Sequence, residues 1–61
     1  MNIVEIKAAW VLKFALHLHK LEPAISGSEA TRIATETYPD AFDLAPEKAA
    51  DNYMLKGAPE N

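Results

Sequence analysis

The sequence has no cysteine and two glycines among its 61 residues. Without cysteine there is no disulfide staple and no thiolate metal site. With so little glycine there is no phosphate-cradling loop and no Gly-x-Ser-x-Gly nucleophile elbow. Positive charge is also scarce: six Lys and Arg stand against nine Asp and Glu, for a formal net charge of −3. That balance disfavours nucleic acid or an anionic membrane as partner. An uncharged apolar run long enough to span a membrane is missing too. The most apolar stretch, Val4–Leu21, carries Glu5, Lys7, Lys13, His17, His19 and Lys20 along its length, so no membrane span is expected. Met1 is not followed by the basic and apolar regions of a secretory leader, and the expected location is cytoplasmic.

What remains is helix. A chain of this length forms one domain at most and hides only ~60% of the surface it exposes when unfolded. Small scaffolds without a disulfide or metal depend on tight packing or on a partner chain. The predicted class is all-α: a small three-helix domain, one long N-terminal helix packed by two shorter ones. The helices are expected at about 3–21, 27–37 and 44–56, with a frayed tail at 58–61. Pro23 stops the first helix, because the residue before a proline avoids the helical region. Val4, Lys7, Val11, Phe14, Leu18 and Leu21 recur at alternating spacings of three and four, which predicts the seam of a lengthwise helix packing. Lys7 is the misfit, expected to snorkel outward or to meet an acidic group.

Ser26-Gly27-Ser28-Glu29 reads as a capping box, with Ser26 as N-cap and Glu29 reaching back. Ile25 and Ala30 can form the accompanying hydrophobic staple. Ala30, Ile33, Ala34 and Tyr38 share one face, and Pro39 is expected to end this helix near Thr37. Phe42, in the turn that follows, is the expected plug over the core. Asp43 is the expected cap of the third helix, with Pro46 in its first turn. Ala49, Ala50, Tyr53 and Met54 make its apolar face. Gly57 and Pro59 mark its end. The predicted core is Val4, Val11, Phe14, Leu18 and Leu21 together with Ile33, Tyr38, Phe42, Tyr53 and Met54.

Patterns that suggest chemistry have simpler explanations. His17-Leu18-His19 invites a metal reading, yet imidazoles two residues apart on a helix point about 160° away from each other. Lys13 and Lys20 share the His17 stripe and repel cations. Glu29, Asp43 and Glu47 lie at expected helix starts, where the helix dipole favours negative charge. Asp40-x-x-Asp43 lacks the alternating oxygens of a calcium loop. Leu21–Tyr38 resembles a helix–turn–helix in outline, but the recognition helix would carry Glu29, Arg32 and Glu36, a poor set to place against phosphates. No catalytic, cofactor-binding or metal residues are expected.

The first helix has more apolar surface than a seam requires. Ile6 and Trp10 flank the seam on one side, and Leu12 and Leu16 lie on the far side of the helix. A large contiguous apolar patch is rarely left exposed on a soluble monomer. Ile6, Trp10, Leu12 and Leu16 are therefore the candidate interface. The expected function is a small non-catalytic protein–protein interaction or self-association module, structural or regulatory, with a homodimer preferred to a monomer. The alternative is a small helix–turn–helix-like regulator associated with nucleic acid. The uneven charge, with a basic first helix and an acidic remainder, predicts attraction between the two parts of the fold.

Overall fold

The computed structural model describes residues 3–55, which form three helices: α1 (Ile3–Leu21), α2 (Gly27–Ala41) and α3 (Pro46–Leu55). Both α2 and α3 pack on α1, and they scarcely touch each other. The all-α, three-helix architecture predicted from the apolar spacing is thus present. The Val4 side chain, the end of the third helix at Lys56, the Gly57 stop and the tail 58–61 lie outside the described residues.

The core follows from that arrangement. Phe14 and Leu18 are the two large side chains with no exposed surface, and Trp10, Ala15, Ala30, Ile33, Ala34, Ala41, Ala49 and Ala50 complete the buried set. Val11, Tyr38, Tyr53 and Met54 pack against it while partly exposed. The alanines of α2 and α3 have no bulk of their own, so the aromatic and leucine side chains of α1 fill the space between the helices. Trp10 stacks on Phe14 with centroids 5.2 Å apart and meets the Tyr38 ring edge-on at 5.3 Å. Phe14 meets Tyr53 of α3 edge-on at 6.4 Å.

The α1–α2 turn is built as its sequence suggests. Glu22 N–H donates to the Leu18 carbonyl at 2.9 Å and Ile25 N–H to the Glu22 carbonyl at 3.0 Å, so the chain turns directly after α1. Ser26 caps α2: its hydroxyl accepts from the Glu29 backbone N–H at 3.1 Å. The reciprocal half of the capping box is absent, because the Glu29 carboxylate pairs with Arg32 instead. A charged partner one turn along the helix outcompetes a backbone N–H that water can also serve.

The structure departs from the sequence-based expectation at both ends of the α2–α3 connection and at the end of α1. First, α2 does not stop near Thr37 but runs through Pro39 to Ala41. Pro39 deprives the Thr35 carbonyl of its donor, and both residues lie on the exposed side, where that carbonyl is open to solvent and the lost hydrogen bond costs less than in a buried turn. Second, Phe42 is not the plug over the core; it is 60% exposed. The extra helical turn puts Ala41 on the buried face with Ala30 and Ala34, and one residue further turns Phe42 about 100° away. Third, α3 starts at Pro46 and not at Leu44, so Asp43 is not its cap; proline at the first helical position has no N–H to satisfy. Leu21, expected in the core, is exposed beside Met54 and Leu55 of α3.

Phe14→Ala is expected to cost ~3–5 kcal/mol, most of the stability of so small a domain. Phe42→Ala is expected to change stability by less than about 1 kcal/mol, as for other exposed positions. Thermal unfolding of both variants checks the inversion: equal losses would return Phe42 to the core.

Candidate functional site

The inner arc of α1 is fully used. Beyond its stacking, Trp10 donates from Nε1 to the Leu44 carbonyl at 2.9 Å, fixing the connection between α2 and α3. Trp10 was expected at an interface with another chain; it is 7% exposed and belongs to the intrachain core. The reason is the width of the buried arc. Two helices pack on α1 from different sides, so burial extends past the predicted seam to Trp10 on one flank and Ala15 on the other.

The outer arc is different. Leu12 and Leu16 are 59% and 61% exposed and Ile6 is 45% exposed. Leu16 lies about 160° around the helix from the fully buried Leu18, beyond the reach of α2 and α3. Ala8 and Ala9, also exposed, keep the backbone accessible between these larger residues. A shallow groove of about 350 Å³ runs beside the stripe, lined by Glu5, Ile6, Ala9, Trp10, Lys13 and Pro46. The three exposed candidates therefore share the outward side of one helix, with Glu5 at its first turn and His19 and Lys20 at its last.

The charges of this face are not consumed within the fold. Among the described residues, no ion pair joins a lysine of α1 to a carboxylate of α2 or α3. The expected attraction between a basic and an acidic part is reduced to one contact, His17 Nε2 to Asp51 Oδ1 at 2.9 Å. Lys7, the misfit of the seam, finds neither a carboxylate nor open water alone: its Nζ stands 5.5 Å from the centroid of the Tyr38 ring. Sequence spacing placed Tyr38 in the core and Lys7 on the seam but carried no register between α1 and α2, so their pairing was not legible.

The remaining polar groups have structural employment. His19 Nδ1 donates to the Ile25 carbonyl at 2.6 Å and helps close the α1–α2 turn. Arg32 lies between Glu29 and Glu36, with its Glu36 contact at 3.0 Å. The hydrogen bond to Glu29, followed by the charges of Glu29 and Glu36, raises the guanidinium pKa above its ordinary value. The exposed side of α2 thus carries Glu29, Glu36 and Asp40 against one arginine that is already paired. Among the described residues, no polar or charged side chain is buried, and no group of three His, Asp or Glu residues is placed to share a metal ion. Nor is any described helix long and apolar enough to cross a membrane. No known protein family, curated protein or solved structure matches the chain.

Zinc titration followed through the histidine ring signals is expected to give weak, non-saturating changes, because His17 and His19 point apart and each already has a partner. A saturating site at low micromolar zinc, lost in His17→Ala, would contradict this.

Proposed function

We propose that this protein is a non-catalytic interaction module, structural or regulatory, that acts in the cytoplasm by self-association through the outer face of α1. The observation that carries the reading is the exposure of Leu12 and Leu16 on the side of α1 that neither short helix reaches. Helix propensity does not require leucine there; alanine, lysine or glutamate would serve a solvated face as well. Two exposed leucines one turn apart, flanked by Ile6, Ala8 and Ala9, lose contact with water most simply by packing on another helix. A second copy brings the same face, and closed two-fold pairs are the commonest oligomers. The absence of cysteine points the same way, since a partner chain supplies burial that no disulfide provides.

The rest of the surface offers less. Enzymatic chemistry needs a titratable or nucleophilic group in a sheltered hollow, and the polar side chains described are at the surface. Nucleic acid would face an α2 dominated by carboxylates.

Sedimentation equilibrium tests the reading. The chain, 6.7 kDa as a monomer, is expected to show a concentration-dependent rise to twice that mass. Leu12→Glu with Leu16→Glu is expected to give a folded monomer, because both positions are exposed and their replacement leaves the inner arc intact. A parent chain that stays monomeric up to millimolar concentration would contradict self-association. A double variant that still dimerises would move the interface to another face.

A further inference from the structure

Resting on that reading, we infer that two copies pair antiparallel along α1, with Ala9 of each opposite Leu16 of the other and Glu5 of each opposite Lys20 of the other. The charge distribution on the exposed arc carries the inference. Glu5 lies at the first turn of α1 and Lys20 at the last, and the helical repeat puts both on the same side as Leu16 and Ala9. A parallel pair sets Glu5 against Glu5 and Lys20 against Lys20. An antiparallel pair sets each carboxylate against an ammonium. Neither group forms an ion pair within its own fold among the described residues, so both are available to the second copy.

The sizes of the side chains select the same register. Positions that sum to 25 face one another, so the two-fold axis passes between Leu12 and Lys13. Each Leu16 then fills the space above the small Ala9 of the other copy, and the two Leu12 side chains meet beside the axis. Large against small is the arrangement that lets helices approach closely and interdigitate. The two Lys13 side chains lie together on the opposite flank from the Leu12 pair; their stems cover the seam while their ammonium groups reach apart into water. The contact runs along a helix about 28 Å long. A standard interface takes roughly 800 Å² from each partner, about a fifth of the 4185 Å² surface of this chain. One helix face gives less than that, which places the dimer among weak, exchanging associations.

The lack of native cysteine makes a crosslinking test direct. Glu5→Cys and Lys20→Cys are made in separate full-length chains and oxidised singly and as a mixture. In the antiparallel pair, identical positions lie about 22 Å apart along the seam, whereas a disulfide needs Cα atoms within roughly 7 Å. The mixture is expected to crosslink and the single chains are not. Charge reversal gives a second readout without cysteine. Glu5→Lys and Lys20→Glu are each expected to weaken dimerisation roughly tenfold. The two together in one chain are expected to restore it, since each end of the pair then again sets an ammonium against a carboxylate. Self-crosslinking of Glu5→Cys, or a double reversal no better than the single ones, would overturn the orientation while leaving self-association intact. A dimer that crosslinks in neither arrangement would overturn the register as well. A parent chain that is monomeric throughout would remove both this inference and the reading it rests on.

Discussion

The stack of Trp10 on Phe14 is where the parts of this fold are joined. Through Trp10 the stack reaches Tyr38 of α2 and the Leu44 carbonyl between the short helices; through Phe14 it reaches Tyr53 of α3. Because α2 and α3 hardly touch each other, their relative placement is set by what each makes with α1. The buried surface of both short helices is largely alanine. Alanine brings the backbones close but contributes little apolar area, so the large side chains of one helix supply most of the burial for all three. Aromatic pairs of this kind contribute ~0.5–1.5 kcal/mol beyond their buried area, a substantial share of the few kcal/mol a domain of this size retains.

That dependence has a cost on the opposite side of the same helix. A single helix packed by two short ones is covered on its inner side and no further. Its outer side carries Leu12 and Leu16 between alanines, with unlike charges at its two ends. The division of α1 into a fully used inner arc and an exposed outer arc is the basis of the proposed association: two helices packed on one side of α1 leave Leu12 and Leu16 on its other side uncovered.

Much of this was legible in the sequence where local chemistry decides the outcome. The length of α1, the Ser26 cap and the alanine–isoleucine face of α2 follow from spacing, capping and proline placement. What could not be read depended on tertiary geometry. Pro39 is a helix breaker in isolation, yet near the exposed end of α2 it costs one hydrogen bond whose acceptor water can serve, and α2 continues. That continuation reverses the fates of Ala41 and Phe42. The seam predicted from a three-and-four spacing was centred for one packing partner; with two partners it widens, and Trp10 passes from supposed interface to core. Of the four candidate interface residues, Ile6, Leu12 and Leu16 lie on the exposed surface; the helical repeat set Leu12 and Leu16 opposite the seam but placed Trp10 at its flank beside Ile6, where burial depends on how far the packing extends. The distinction came from tertiary packing, which lays Tyr38 of α2 and the Leu44 carbonyl against Trp10.

The division of α1 into two arcs is tested most directly by isotope-filtered NMR on a mixture of labelled and unlabelled chains at millimolar concentration. Intermolecular contacts are expected from the Leu12 and Leu16 methyl groups, with the Ala9 methyl of the other copy among their partners. The Trp10 ring and Leu18 methyls are expected to show contacts within one chain alone. Intermolecular contacts from Trp10 or Leu18, or none from Leu12 and Leu16, would contradict the assignment of one arc to the fold and the other to association.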